Sequence, residues 1–264
     1  MTKNIKRRTA LKNITPFYYS LFAIPAAIAL RCLQYVRLID TEGFYTLQST
    51  TDTVLRYSVP AVIVLTVLFS LIIMITDKEQ AQFNLTRSVG IVYIVYGLLL
   101  AVESGVRAAA RDVISVLAMA AAVYFCIEGI VAIKKGKRGG LISLLSMFAP
   151  AYFIGSGIKL FFDTVAKANS SAVRLEMLGL CAAALLFAAL GGAGAGMNIP
   201  RSRIKALALI GALIMLCPVA TRFMALSEGL TAISLVTSVR DAIGGVTAVV
   251  ILFNVCIGGK HCIK

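Results

Sequence analysis

The chain has 264 residues, 59% of them apolar and only 14% charged, with a mean hydropathy of +0.89. That composition excludes an ordinary water-soluble domain and leaves too little polar sequence for a separate one, so residues 1–264 form a single membrane domain. The formal charge of +14 sits in short clusters between apolar runs, which is the pattern of membrane topology rather than of a nucleic-acid surface.

Residues 1–14 are a basic segment, MTKNIKRR followed by Lys12. The apolar run after it resembles a signal peptide, but it continues as LRCLQYV and seven more spans follow. It reads as an uncleaved first helix. Roughly 20 apolar residues cross a bilayer as a helix. On that length the predicted spans are 15–36, 57–76, 88–106, 113–133, 141–162, 177–196, 204–226 and 242–259. The segment LTAISLVTSV at 230–239 is moderately apolar, and reads either as a short interfacial helix or as an outward extension of the eighth span. Pro25, Pro60, Pro150 and Pro218 fall inside spans and mark bends. GGAGAGMN, at 191–198, is a small-residue packing face and has no P-loop context.

Sixteen of the 26 Lys and Arg residues lie at the N-terminus, at Lys78 and Arg87, in KKGKR at 134–138, in RSRIK at 201–205 and at the C-terminus. These places alternate with the spans, so both termini are expected in the cytoplasm of a bacterial cell, with the plasma membrane crossed eight times. The fold class expected is an all-α polytopic bundle of four hairpins opening outward. RLIDT at 37–41 parallels KLFFDT at 159–164, and RDVIS at 111–115 parallels RDAIG at 240–244, which suggests related halves at 15–136 and 139–260.

The outward ends hold ten basic and nine acidic residues. Local pairing explains part of this ring. Glu103 and Arg107, Lys159 and Asp163, and Asp52 and Arg56 are each four apart, on one helix face. Arg31 and Arg222 have no acid at three or four residues and lie about one turn inside their spans, where an arginine calls for an acid from another helix or a bound anion. Glu103 and Glu228 are the acids expected. Arg31 and Gln34 share one helical stripe. With Glu103, Lys159, Asp163, Arg222 and Glu228 they form the candidate binding site for a small anionic or zwitterionic solute, gripped by guanidinium. Toward the other end, Glu128 and Asn254 each precede a lysine by six residues. Glu128 is the candidate proton-coupling group, with a packing residue as the alternative.

The chain has one His, no HExxH, no GxSxG and no Walker motif, so no enzyme, cofactor or metal is expected. The six cysteines lack CxxC spacing and read as small apolar residues. Two functional classes stay open: a solute-binding protein or transporter component, or a non-catalytic scaffold. The partners expected are membrane lipid, a small-molecule solute, and a second membrane subunit or separate ATPase, with no nucleic acid.

The stretch LRCLQYVRLIDTEGFY at 30–45 resembles a family of multi-spanning proteins of clostridial-type Gram-positive bacteria, whose first span ends LRxxQ before an ID segment and a Gly-aromatic turn. Leu30, Arg31, Gln34, Ile39, Asp40, Gly43 and Phe44 match, whereas Glu42 stands where that pattern has Thr. The resemblance covers 16 residues and the general topology. It implies a patterned turn and carries no activity with it.

Overall fold

The computed structural model describes residues 2–38, 50–77, 85–134, 136, 139–163, 170–225 and 232–257. Asp40, Glu42, Gly43, Phe44, Lys167, Glu228, His261 and Cys262 lie outside the described residues. Those described are almost wholly helical, without strands. The helices are α1 (Thr2–Leu38), α2 (Thr50–Thr76), α3 (Arg87–Ala109), α4 (Ile114–Lys134), α5 (Gly140–Leu145), α6 (Phe148–Asp163), α7 (Ser171–Gly194), α8 (Arg201–Leu216), α9 (Val219–Ala225) and α10 (Ala232–Ile257). Eight stretches are long and apolar enough to span a membrane, with α5 and α6 forming one of them and α8 and α9 another. The protein is therefore a multi-pass integral membrane protein. Large apolar side chains such as Phe22, Ile75 and Phe162 face outward, as lipid contact requires.

Proline chemistry explains the two broken spans. A proline has no N–H for the carbonyl four residues earlier, and its ring crowds that carbonyl. Pro150 interrupts its span at Ser146 and Met147, where Met147 N bonds back to Leu144 O, a tighter turn than the α-helix. Pro218 interrupts the other between Leu216 and Val219. Pro25 and Pro60, by contrast, lie inside continuous helices. At Pro60 the relief is visible. The orphaned carbonyl belongs to Arg56, and Gln34 Nε2 of α1 donates to it at 3.2 Å and to Leu55 O at 2.8 Å.

Small residues set the closest packing. The α3–α4 hairpin crosses with Gly90 against Gly129, and with Gly97 against Ala122 and Cys126. The hairpin turns tightly because Arg111 adopts φ 56°. Its amide bonds Ala108 O, and the Asp112 amide bonds Arg107 O. That is a Schellman closure with arginine where glycine is usual, at a cost of about 1–2 kcal/mol. At the end of α7 the same closure uses Gly196, at φ +86°.

α8 lies at the centre, packed by α1, α2, α7 and α10. An aromatic layer fills the middle of the bundle. Tyr96 stacks on Phe153 and Phe187, and Phe125 meets Tyr93, Tyr96 and Phe187 edge-on. At the end that carries the basic loops, Lys205 and Arg201 are buried. Lys205 pairs with Asp77 of the α2 terminus, and Arg201 donates to Val255 O. Part of RSRIK is thus interior structure as well as a topological charge cluster.

The helices also run past the charges taken above as span ends. α2 begins at Thr50, α7 at Ser171 and α10 at Ala232, so Asp52, Glu176, Arg240 and Asp241 lie within helix. The 230–239 segment is, over its described part, an extension of the eighth span.

A Cβ on Gly129 would lie 2.6 Å from Gly90 O and 2.7 Å from Ile94 Cγ1, whereas one on Gly105 meets nothing within 4 Å. Gly129→Val is expected to lower stability by about 1–3 kcal/mol through overpacking. Gly105→Ala should be neutral or stabilise by up to about 1 kcal/mol. Denaturation of the detergent-solubilised protein followed by circular dichroism checks both. Equal effects from the two substitutions would refute the close-crossing account.

Candidate functional site

The i, i+4 spacing on α3 puts Glu103 and Arg107 on one face, and their side chains meet at 2.8 Å. Arg107 also reaches Asp112 at 2.8 Å, because the tight α3–α4 turn folds that aspartate back beneath it. Asp112 Oδ1 accepts from the first amide of α4, Ile114 N, at 3.0 Å. Burial raises the Asp112 carboxyl, but the Ile114 amide and Arg107 outweigh it and hold it below the ordinary carboxylate range.

α10 packs against α3 and brings Arg240 to the other side of Glu103. Arg240 NH1 donates to Glu103 Oε1 at 3.2 Å and to Tyr152 Oη of α6 at 3.1 Å. Its Nε donates to Asp241 Oδ1 at 2.8 Å. Asp241 in turn pairs through its other oxygen with Arg222 of α9, and Arg222 NH2 reaches Glu176 of α7 at 3.1 Å.

These links join seven residues in one chain of alternating sign: Asp112, Arg107, Glu103, Arg240, Asp241, Arg222, Glu176. Four carboxylates face three guanidiniums, so the chain carries one formal negative charge. It is most enclosed at its centre, where the Arg240 and Glu103 side chains are 1% and 2% exposed, and opens toward Glu176 at 23%. The Tyr96 ring lies just beneath, with its hydroxyl close to Gly244 of α10. Both Tyr96 Oη and Glu103 Oε2 are buried without a hydrogen-bond partner among the described residues.

The predicted site is thereby divided. Glu103 and Arg222 do belong together, but through Arg240 and Asp241, two outward-end charges outside the candidate set. Among the described residues the acids of Arg222 are Asp241 and Glu176 rather than Glu103, and the expected Glu228 lies outside those residues. Arg31 and Gln34 are not without a local partner, since Arg31 NH1 donates to Gln34 Oε1 at 3.1 Å. Arg31 NH2 donates to Ser171 Oγ of α7 at 3.2 Å, so the pair ties α1 to α2 and α7. Gln34 has a structural task at Pro60. Lys159 and Asp163 meet at 2.7 Å with side chains 38% and 57% exposed, a rim pair rather than part of the enclosed centre.

No family model, curated protein or solved structure matches this chain. The chemistry is therefore argued from the geometry.

Glu128 is buried on α4, beside a narrow crevice lined by Tyr124, Ser143, Ser146, Gly191 and Gly194. This is where Pro150 breaks the fifth span. Asn254 is a helix tie: it accepts from Thr86 Oγ1 at 2.7 Å, and its Nδ2 donates to Val250 O at 2.8 Å. Among the described residues no group of three His, Cys, Asp or Glu is placed to hold a metal.

Two predictions separate the enclosed chain from the rim. Arg222→Ala leaves Asp241 and Glu176 short of a counter-charge and is expected to cost about 3–5 kcal/mol. Lys159→Ala, at an exposed pair, should cost less than about 1 kcal/mol. Denaturant titration in detergent measures both, and a Lys159→Ala effect as large as that of Arg222→Ala would refute the distinction.

A further prediction concerns pH. The folded Asp112 carboxyl lies below its unfolded value of about 3.9. Its contribution is therefore fully present above that value and is lost as pH falls through the folded value. Asp112→Asn should lower stability near neutral pH and flatten the acid limb of the stability profile. An unchanged acid limb would refute the assignment.

Proposed function

We propose that this protein binds a small solute bearing a carboxylate or phosphate group and carries it across the membrane, alone or as the membrane component of a transporter, with Arg240 as the central contact. The observation that supports this reading is the burial of Arg107, Arg240, Glu103 and Asp241 beside α6, with half-buried Arg222 and Glu176 continuing the chain to α9 and α7. A bundle that needed only stability would do as well with apolar side chains, because replacing a buried ion pair by packed hydrophobes is often neutral or favourable. Ionisable groups kept inside membrane bundles mark solute or ion pathways.

The alternating chain suits that task. Each inner charge has an opposite charge on both sides, so one link can open while the residue keeps its other partner. Tyr152 of α6 already accepts a hydrogen bond from Arg240, and Tyr96 closes the floor. The broken spans supply bends at α5–α6 and α8–α9, the second within a turn of Arg222. Discontinuous helices are a common device of carriers. On this reading the protein is not an enzyme, its basic loops are cytoplasmic and the membrane is the bacterial plasma membrane. The scaffold reading draws support from one observation, that the chain of charges is largely satisfied from within.

The test is a panel of small carboxylates, phosphates and zwitterions screened for thermal stabilisation of the full chain in nanodiscs, with uptake of any hit measured in proteoliposomes. Arg240→Lys keeps the charge but loses the planar fork. It is expected to weaken binding by tenfold or more, while Lys159→Ala leaves it unchanged. Absence of any stabilising solute, or equal responses in the two variants, would favour the scaffold.

A further inference from the structure

The junction of Glu103 and Arg240 has features that narrow the solute class. It is the longest of the links in the charge chain, at 3.2 Å. Each partner is held by a second ion pair, Glu103 by Arg107 and Arg240 by Asp241. Glu103 uses only Oε1 for both arginines, and its Oε2 is buried without a hydrogen-bond partner among the described residues. A buried acceptor left unmade costs the full desolvation of that atom, so the site has capacity for a donor next to a guanidinium.

Charge decides what kind of donor. The chain already carries one excess negative charge, and an added anion would raise it in an enclosed, low-dielectric setting. A cation alone would satisfy Glu103 but would be repelled by Arg240 beside it. A molecule with both charges adds none. Its carboxylate takes the place of Glu103 on Arg240, and its ammonium takes the place of Arg240 on Glu103, so one internal ion pair becomes two pairs to the solute.

We infer that the Glu103–Arg240 junction is a binding site for a zwitterion with an ammonium and a carboxylate close together, as in an α-amino acid, with Glu103 receiving the ammonium and Arg240 the carboxylate. This rests on the solute-binding reading above. Tyr152, bonded to Arg240, stays beside the carboxylate, and Tyr96 Oη near Gly244 is a further buried polar atom without a hydrogen-bond partner among the described residues. Gly244 lets Met215 and Tyr96 pack directly against the α10 backbone: a Cβ there would overlap Met215 Cε and lie 3.1 Å from Tyr96 Oη.

The experiment uses the full chain in nanodiscs and isothermal titration with L-alanine and L-leucine. Each is compared with the amine that lacks its carboxylate and the acid that lacks its ammonium. The expected result is that at least one amino acid binds, and binds about ten- to a hundredfold more tightly than either fragment, the range of a buried charge-assisted hydrogen bond. Glu103→Gln should abolish that preference over the acid while leaving binding of the acid intact or improved.

If the acids bind as well as the amino acids in the unaltered protein, the zwitterion assignment is overturned and anion binding at Arg240 stands. If the amines bind as well, the site is a cation site and the role given to Arg240 is wrong. If none of the six probes binds, the assignment is overturned. A further failure of every solute in the wider panel would then remove the solute-binding reading as well. The wild-type comparison needs no variant, so it holds even where Glu103→Gln fails to fold.

Discussion

The guanidinium of Arg240 organises one end of this bundle. Five N–H groups in a fixed plane demand acceptors in fixed directions, and in a low-dielectric interior an unmet demand is costly. Here the acceptors come from three helices: Glu103 on α3, Tyr152 on α6 and Asp241 on α10 itself. Satisfying one arginine thus fixes the rotation of α10 against α3 and the depth of α6. The neighbouring links extend the same logic outward, with Asp241 recruiting Arg222 on α9 and Glu103 recruiting Arg107, which in turn holds the α3–α4 turn through Asp112. The left-handed backbone at Arg111 is the local strain that this arrangement carries, since only so tight a turn returns Asp112 to Arg107.

Below this polar end, cohesion is of a different kind. Lipid tails are as apolar as the side chains, so apolar burial gives helices in a membrane little reason to associate. Close packing and interhelical hydrogen bonds must do the work. The glycines of α3 and α4 permit backbone contact, and the stacked rings of Tyr96, Phe153 and Phe187 fill the space where α3, α6 and α7 converge. The aromatic layer also separates two polar regions, the charge chain at one end and the Lys205–Asp77 pair with Glu128 at the other.

The number of spans and their order were legible in the sequence because each rests on a long apolar run, and the Glu103–Arg107 pair was legible because it is local. The centre of the site was not, for a physical reason. A charge in sequence reads as the end of a span, as it is where side chains meet water. In α7 and α10 the helix continues for one to two turns beyond Glu176 and Arg240, which leaves Glu176 half-buried and moves Arg240 from the rim to the interior. The signal was present in LTAISLVTSV. Counted as helix, those residues place Arg240 and Asp241 inside the span and in need of partners. Arg31 shows a second kind of partner: no acid stands near it in sequence, and two of its hydrogen bonds go to the neutral side chains of Gln34 and Ser171. Neutral oxygens are acceptors that a search for opposite charges overlooks.

Gln34 carries this reasoning one step further. A glutamine beside a buried arginine looks like part of a binding stripe, but its Nε2 donates to Arg56 O, the carbonyl that Pro60 leaves without its helical donor on α2, and to Leu55 O. The proline and the glutamine are two halves of one device, separated by 26 positions in sequence, and neither is interpretable alone. The polar groups that helix geometry consumes in this way have to be set aside before a site is drawn. Once Gln34 is so assigned, the Glu103 Oε2 and Tyr96 Oη atoms stand out among the buried polar atoms near Arg240, because no helix break or local bond accounts for them.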